Sequence, residues 1–229
     1  MVELEQRVSE KANALLGGKK RLKMLEAGCG SATHIAFDAE LYVVGIDISS
    51  EQLKKNNSVS EKLQGDIQEY PLPACEFDVA ICWMVLEHLE RPRAAVLNLS
   101  RALRPGGLLI LGFPNLWSIK GIVTKITPYW FHRGFYRYLK YTSHPFPTFF
   151  KTDIIPGKLA RYAESNGLTV ELCALAEGRV SRVVKSRYPV VKWLFSAVDG
   201  LTRVLSRGRL TSPLLDQCGM VLRKRAGDA

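Results

Sequence analysis

The most informative stretch of this sequence is Leu25-Glu26-Ala27-Gly28-Cys29-Gly30-Ser31-Ala32-Thr33, which ends a short apolar run beginning at Leu22. The run predicts a buried strand, and the residues after it predict a tight turn that opens a helix. Glycines in such a turn let the backbone bend sharply and approach a ligand closely, because they lack a Cβ atom. Backbone N–H groups at a helix start favour a polar or anionic ligand group. We therefore expect a ligand site here, with an ordinary tight turn as the alternative.

Strand and helix patterns alternate along the rest of the chain. Apolar runs rich in β-branched residues predict buried strands at 41–46, 77–82, 108–113, 168–175 and 218–224. Helices are predicted at 2–16, 94–103 and 158–166, and after a capping box of Ser49 and Gln52. Strands separated by helices imply βαβ units with right-handed crossovers. The predicted fold is α/β: a Rossmann-like, doubly wound, mostly parallel sheet with helices on both faces, in a single domain over residues 1–229.

Two stretches interrupt this alternation. Residues 114–150 contain eleven aromatic side chains with interleaved basic residues. We interpret them as a lid over a substrate, because insertions after strand carboxyl ends lie over the site in open α/β sheets; a cap on the core is the alternative. Residues 177–213 form a basic amphipathic insertion before the last strand, and the apolar side chains between Val190 and Leu205 share one helical face.

The amphipathic insertion is open to two interpretations. A helix packed by its apolar face is the simpler one. The other is a peripheral membrane contact in which the basic side chains face anionic headgroups. These side chains are Arg179, Arg182, Lys185, Arg187, Lys192, Arg203, Arg207 and Arg209.

Charge and cysteine content narrow the classes of protein. The formal net charge of +10 favours contact with anions such as nucleic acid, anionic lipid or a phosphorylated substrate. The five cysteines are odd in number and form no CxxC pair, which argues against a disulfide framework and against a metal site. We expect neither a secretory signal nor a spanning helix, because the first residues lack a basic stretch followed by an apolar one and no run of 18 apolar residues occurs. We expect a cytoplasmic protein, with peripheral contact on the inner face of a membrane as an option.

Acidic residues around the turn indicate the kind of cofactor. Asp47 ends the second strand, where a carboxylate accepts hydrogen bonds from ribose hydroxyls, and Asp66 follows the third strand, where a carboxylate can meet an adenine amino group. A dinucleotide site would require a third glycine at position 33, and Thr33 stands there. Glu26 directly precedes the turn, where a carboxylate suits a cationic aminoacyl sulfonium better than a pyrophosphate. An NAD(P)-dependent oxidoreductase is therefore disfavoured.

With these residues the chain resembles the class I S-adenosylmethionine-dependent methyltransferases, especially the small methyltransferase domains of bacteria. Five segments match in the family's order, and coverage is good from about residue 22 to 113 and weaker beyond. The matching segments are Glu26-Ala27-Gly28-Cys29-Gly30-Ser31-Ala32, Gly45-Ile46-Asp47-Ile48-Ser49, Gly65-Asp66-Ile67, Phe77 to Cys82 with Leu86-Glu87-His88-Leu89, and Leu103 to Ile110. The resemblance implies a seven-stranded sheet whose last strand is antiparallel, and S-adenosyl-L-methionine as cofactor.

The resemblance also implies roles for residues. Glu26, Gly28, Cys29 and Gly30 would line the methionine end of the cofactor, and Asp47 with Ile48 would hold the ribose. Asp66 and Ile67 would bracket the adenine, while Cys82 and Trp83 would lie beside the sulfonium. His88 follows the fourth strand and is a candidate general base, although a structural histidine is the alternative. His132 and His144, in the aromatic insertion, are weaker candidates.

The acceptor follows less directly from the sequence. The aromatic and basic insertions favour a hydroxyl, or another nucleophile, on a small-molecule or lipid-linked substrate. An RNA methyltransferase is the enzymatic alternative, because the sequence pI is about 9.5 and basic and aromatic residues interleave. A non-catalytic cofactor-binding or docking module is the third possibility.

Overall fold

The computed structural model describes residues 3–30, 35–116, 118, 119, 121, 151–205, 212 and 214–227. Seven strands form one sheet in the order β3-β2-β1-β4-β5-β7-β6. The strands are β1 (Arg21–Ala27), β2 (Glu40–Asp47), β3 (Glu61–Gln64), β4 (Phe77–Trp83), β5 (Leu103–Pro114), β6 (Leu168–Ala176) and β7 (Gln217–Lys224). The first five run parallel, and β7 is antiparallel to both of its neighbours. The predicted Rossmann-like sheet with an antiparallel last strand is confirmed.

Helices cover both faces of this sheet. They are α1 (Glu3–Leu16), α2 (Ser50–Lys55), α3 (Pro92–Ala102), α4 (Pro156–Ser165), α5 (Arg179–Arg187) and α6 (Pro189–Leu205), with short 3-10 helices at Leu86–His88 and Thr152–Ile154. One buried cluster joins α1 to the sheet, and a second joins α3 and α4 to the opposite face. No helix in the described ranges is long and apolar enough to cross a membrane.

The central strand β4 shows why the sheet needs helices on both faces. All seven of its residues are buried. Val79 and Ile81 belong to the cluster covered by α1, whereas Ala80 and Cys82 belong to the cluster covered by α3 and α4. Alternate side chains of a strand point to opposite faces, so a continuous apolar run must be covered twice.

Local signals at helix ends are confirmed. Ser49 caps α2, and its side chain accepts a hydrogen bond from the backbone N–H of Gln52 at 3.3 Å. Gly17 and Gly167 follow α1 and α4 with φ of +62° and +78°, a conformation that glycine adopts without steric penalty.

Two predicted elements differ in the structure. The helix expected after the glycine turn is wrong over residues 35–39, which form no helix; residues 31–34 lie outside the described part of the chain. Only nine residues separate Gly30 from Glu40, too few for a long helix and its return to β2. The N-terminal α1 covers this face instead, in one cluster with Ile35. The turn predicted at 105–107 lies within the longer strand β5, where the register against β4 shifts.

The two insertions are described to different extents. Of residues 114–150, only 114–116, 118, 119 and 121 are described, so the predicted lid lies outside the described residues. The basic insertion at 177–213 forms the consecutive helices α5 and α6.

Asp78 organises the amino ends of the parallel strands. Its carboxylate accepts hydrogen bonds from the backbone N–H of Lys23 at 3.0 Å, from Lys19 Nζ at 3.1 Å and from Arg104 Nη1 at 2.9 Å. Burial alone would raise the pKa of this carboxyl, but these hydrogen bonds and the Lys19 charge outweigh it and lower the pKa. Three segments distant in sequence are thus tied together by one ionised side chain.

We expect Asp78→Asn to lower the free energy of unfolding by about 1–2 kcal/mol at neutral pH, because charge-assisted hydrogen bonds are lost. A lowered folded-state pKa stabilises the protein above the unfolded-state value, near pH 4, and this stabilisation is lost as pH falls through the folded-state value. In urea titrations, the difference in free energy of unfolding between wild type and Asp78→Asn should therefore become smaller below about pH 4. Glu40→Gln, which breaks an exposed pair with Arg21, is the control with an expected change below about 0.5 kcal/mol. A difference independent of pH would contradict this role.

Candidate cofactor-binding site

A cavity of about 300 Å³ opens at the carboxyl edge of the parallel strands. Its lining residues follow the ends of four strands: Gly28 and Gly30 after β1, Ile46 to Ser49 and Gln52 after β2, Gly65 to Gln68 after β3, and Met84, Val85, His88 and Leu89 after β4. The chain runs from β1 to β2 and β3 on one side and returns to β4 on the other. The cavity therefore lies at the point where the strand order reverses, where open α/β sheets bind ligands.

A larger cavity of about 450 Å³ lies at the opposite edge, between Arg21, Tyr42, Asp78 and Arg104. It contains none of the residues predicted to bind cofactor. Charged side chains of its lining form ion pairs with each other, Arg104 with Asp78 and Arg21 with Glu40. Because size alone does not define a site, the smaller cavity at the strand carboxyl ends is the better candidate.

The glycine turn is fixed by hydrogen bonds to the end of β2 and of α2. The backbone N–H groups of Gly28 and Cys29 donate to the carbonyl oxygen of Ile46 at 2.7 and 3.2 Å. The fully buried amide of Asn56 donates to the carbonyl oxygens of Cys29 and Gly30 at 3.2 and 3.1 Å. Gly28 and Gly30 have φ of +66° and +47°, in the left-handed region that favours glycine. The turn is therefore held in shape by protein contacts before any ligand binds.

Asp47 connects this turn to α2. Its Oδ2 accepts a hydrogen bond from the backbone N–H of Gly30 at 2.9 Å, and its Oδ1 accepts one from Ser49 N–H at 2.8 Å. A carboxylate has about four acceptor positions, so two are left for hydroxyl donors in the cavity. This arrangement suits a ribose, as the sequence predicted, and Ile48 lines the same cavity.

Asp66 is held from the side of the chain that follows β3. Its carboxylate accepts hydrogen bonds from the backbone N–H of Gln68 at 2.9 Å and from Gln68 Nε2, which bridges both oxygens at 3.0 and 2.8 Å. The side-chain oxygen Oε1 of Gln68 in turn accepts a hydrogen bond from the backbone N–H of Arg91 at 2.6 Å. Asn98 Nδ2 donates to the carbonyl oxygen of Ile67 at 2.9 Å. Asp66 and Ile67 thus line the cavity on a backbone fixed from two sides, and their contact with adenine stays a prediction.

The end of β4 differs from the prediction. Cys82 is completely buried in the core, where burial and the nearby Glu87 charge raise the pKa of its thiol. Trp83 belongs to the cluster under α1, and its ring lies against Gly112. Met84 and Val85 instead line the cavity where we expected Cys82 and Trp83. Met84 has φ of +55°, an uncommon conformation for a residue with a side chain.

Glu26 and Cys29 lie beneath the cavity and are not among the described residues that line it. Glu26 is buried at the end of β1. The Cys29 thiol packs beside Gly45, and burial together with the charges of Asp47 and Glu26 raises its pKa to about 11. Residues 31–34, which complete the predicted turn, lie outside the described part of the chain. The contact of Glu26 and Cys29 with a methionine moiety stays a prediction.

The three candidate bases have different outcomes. His88 lines the cavity from the 3-10 helix after β4, with its side chain about one third exposed. Its Nε2 lies 4.0 Å from Oε1 of the buried Glu87. His132 and His144 lie outside the described residues. The structure therefore brings His88 together with Asp47 and Asp66 around one cavity.

Several residues of the site were not predicted from sequence. Asn56 and Gln68 hold the glycine turn and Asp66 through contacts that a strand or helix pattern does not reveal. Gln52 was recognised only for its position in a capping box, yet it also lines the cavity. Val85 packs onto Gly28. A buried polar side chain that ends a helix, such as Asn56, is the one signal that could have pointed to a role in holding the turn.

We expect Asp47→Ala to weaken binding of S-adenosylmethionine by about 1.5–3 kcal/mol, because hydrogen bonds to a charged group are lost. The same substitution also frees the Gly30 N–H, so a second measurement must separate ribose contact from loop positioning. S-adenosylhomocysteine and its 2′,3′-dideoxy analogue, titrated calorimetrically into wild type and variant, form a double cycle. Loss of both hydroxyls should weaken the affinity of the wild-type protein clearly and that of Asp47→Ala only a little. Equal losses in both proteins would show that Asp47 only positions the loop.

The fold and the cavity define a class of cofactor-binding α/β domain: a glycine turn after β1, an acid at the end of β2 and another after β3. The comparison with known families agrees, since residues 25–111 match the model of the methyltransferase domain. Over residues 25–111 the chain thus resembles the class I S-adenosylmethionine-dependent methyltransferases. The assignments from sequence to this family, to S-adenosylmethionine as cofactor and to a methyltransferase enzyme are confirmed.

Individual relatives support this assignment. The ubiquinone biosynthesis O-methyltransferase of Aromatoleum aromaticum is 27% identical over 190 residues, which cover 75% of this chain and 73% of that protein. The 27-O-demethylrifamycin SV methyltransferase of Amycolatopsis mediterranei is 29% identical over 122 residues, covering 48% of this chain and 45% of that protein. The chain spans between 31% and 74% of the length of the curated relatives that head the comparison.

A solved structure shows the same fold. The S-adenosylmethionine-dependent methyltransferase from Mesorhizobium loti superposes with a TM-score of 0.56 at 14% identity, covering 94% of this chain and 96% of that one. At this identity the likeness concerns the arrangement of strands and helices, and it leaves the acceptor open.

Proposed function

We propose that this protein transfers the methyl group of S-adenosylmethionine to a hydroxyl oxygen of a small or lipid-linked acceptor. The observation that carries the proposal is the convergence of Gly28, Asp47 and Asp66 on one cavity. Their chemistry fits the cofactor: the two carboxylates can accept hydrogen bonds from ribose hydroxyls and from an adenine amino group, and the turn offers a backbone surface without a side chain. The O-methyltransferases among the relatives favour oxygen as the acceptor atom.

The residues around the cavity mainly supply orientation. When bound, S-adenosylmethionine provides an electrophilic methyl group that is ready for in-line displacement. Asp47 and Asp66 fix the nucleoside part, and the backbone of the glycine turn sets the position of the remainder. Met84, Val85 and Leu89 provide an apolar wall that excludes water from one side. Holding two reactants at near-attack distance removes about 7–11 kcal/mol of barrier.

His88 is the described residue best placed to accept a proton. An acceptor hydroxyl loses its proton as the new carbon–oxygen bond forms, and a neutral imidazole at the cavity can take that proton. An acceptor that is already an anion needs no such base. The need for His88 should therefore depend on the acidity of the acceptor.

Calorimetric titration of the purified protein with S-adenosylmethionine, S-adenosylhomocysteine and NADPH is the first test. We expect micromolar binding of the first two and none of NADPH. Formation of S-adenosylhomocysteine is then followed with phenols and catechols that carry either no alkyl chain or a long one. Turnover with a hydroxyl acceptor supports the proposal, and preference for the long chain supports a lipid-linked substrate. Methylation of RNA but of no small acceptor would overturn it.

A further inference from the structure

Helix α6 turns its apolar side outward. Five apolar residues form what we call the α6 apolar face: Val190, Trp193, Leu194, Ala197 and Val204. At 100° per residue they lie within an arc of about 100°. Val190, Trp193, Leu194 and Val204 are 71%, 71%, 51% and 74% exposed, and Ala197 is exposed as well. A helix packed against a core would bury such a face.

The opposite side of α6 is the side that packs. Phe195, Asp199 and Thr202 are partly buried, and the ammonium group of Lys185 on α5 lies 5.8 Å from the centre of the Phe195 ring. Lys185 also pairs with Glu177 at 2.9 Å. The helix is therefore anchored through one side, and within the described part of the chain the α6 apolar face is left exposed. Packing of α6 by its apolar face therefore finds no support among the described residues.

The charges around this face are mostly positive. Residues 177–213 contain eight basic and two acidic side chains. Of the two acids, Glu177 is paired with Lys185, and Asp199 is on the packed side. Arg182, Arg187 and Lys192 are exposed. The face and its surroundings thus combine apolar area, an exposed tryptophan and exposed cations.

We propose that the α6 apolar face docks this protein on an anionic lipid surface. An amphipathic helix with Trp, Val and Leu on one side and basic residues nearby lies in the plane of the membrane interface, with cations at the headgroups. A second copy of this chain is a poorer partner, because a two-fold contact would bring the same basic residues together. A nucleic acid backbone would leave the exposed apolar side chains without a role.

Helices α5 and α6 follow the edge of the sheet that carries the cofactor cavity. β6 is parallel to β1–β5, so its end at Ala176 lies at the sheet edge that carries the cofactor cavity. The start of α5 is tied to this edge, because Gly178 N–H and Ser181 Oγ, the latter at 2.9 Å, donate to the Asp216 carboxylate just before β7. Docking would hold the cavity edge near the lipid. This consequence rests on the proposed function, whereas lipid binding itself does not.

Vesicle sedimentation without cofactor or acceptor tests the docking. The full chain is mixed with vesicles of phosphatidylcholine alone and with vesicles that contain about one third phosphatidylglycerol. We expect binding to the anionic vesicles that weakens with salt. The double variant Trp193→Ser/Leu194→Ser should bind at least about tenfold more weakly. Tyr42→Ser, which removes a half-exposed aromatic ring at the opposite sheet edge, is the matched control and should bind as wild type does.

Charge reversal provides an independent variant. Arg187→Glu/Lys192→Glu should lose binding to anionic vesicles by at least about tenfold, whereas Lys20→Glu/Lys54→Glu, with the same change in charge, should lose much less. Unchanged affinity for S-adenosylmethionine shows in each case that the variant is folded. Absence of wild-type binding to anionic vesicles, or binding that the α6 variants do not reduce, would overturn the proposal. The proposal would also be overturned if the protein does not bind vesicles but forms a dimer in light scattering that Trp193→Ser/Leu194→Ser abolishes. That result would assign the α6 apolar face to a second copy of the chain.

Discussion

Replacing Gly28 by alanine is expected to weaken binding of S-adenosylmethionine by about 30- to 700-fold, which corresponds to about 2–4 kcal/mol. Two effects combine. Gly28 has φ of +66°, which an alanine adopts only with strain. A Cβ atom there would also overlap Cγ2 of Val85 and lie 3.0 Å from its Cγ1. Val85 lies in the segment after β4 and lines the cavity. A movement of Val85 that relieves the overlap would therefore displace the cavity wall.

Gly17→Ala separates these two effects. Gly17 has nearly the same φ, +62°, but a Cβ atom there would meet nothing within 4 Å. This control should lose about 1 kcal/mol of stability and keep its affinity for S-adenosylmethionine. Calorimetric titration of both variants, with thermal unfolding as a check on folding, gives the comparison. An affinity of Gly28→Ala within threefold of the wild-type value would mean that the turn does not shape the cofactor site.

The glycine turn and the acids at the strand ends could be predicted because simple geometry constrains them. In a parallel sheet the carboxyl ends of neighbouring strands meet at one edge, so Asp47 and Asp66 had to lie near Gly28 once the strands were recognised. Apolar runs of β-branched residues identify such strands reliably when they are buried on both faces. The same geometry explains the parallel part of the sheet, whereas the antiparallel last strand was expected from the family resemblance alone.

The contacts that hold the site could not be predicted in this way. Asn56 reaches the carbonyl oxygen of Cys29 across 27 positions, and Gln68 meets the backbone of Arg91 across 23. Such partners depend on how loops pack, and no period in the sequence encodes them. The burial of Cys82 and Trp83 away from the cavity lining has a related cause. Because side chains alternate between faces, only the exact end of β4 determines which residues turn into the cavity.

The α6 helix shows another limit of sequence patterns. The spacing of Val190, Leu194 and Ala197 correctly predicts a helix with one apolar face, but a period gives no direction. Whether that face points to the core or to the outside depends on the tertiary contacts of the helix, such as that of Phe195 with Lys185 of α5 on the other side. An amphipathic pattern therefore indicates that a partner exists without saying whether the partner is the same chain.

Replacing His88 by glutamine is expected to lower kcat about 100- to 10,000-fold for acceptors whose hydroxyl stays protonated at the working pH, because a general base is lost. His88 lies on the short 3-10 helix after β4. Its own backbone N–H donates a hydrogen bond to the carbonyl oxygen of Val85 at 2.9 Å. Glutamine keeps a polar side chain of similar length but cannot accept a proton at neutral pH. Affinity for S-adenosylmethionine should stay close to the wild-type value, since Asp47 and Asp66 are unchanged.

The acidity of the acceptor distinguishes a base from a structural histidine. With an acidic phenol that is ionised at the working pH, no proton has to be removed, so His88→Gln should retain most of its kcat. With a weakly acidic phenol of the same shape the full loss should be seen. A structural role would damage the cavity for both acceptors equally and would also lower the affinity for cofactor. A similar loss of kcat with both phenols would therefore exclude His88 as the base. Its role would then be structural, in holding the cavity wall after β4.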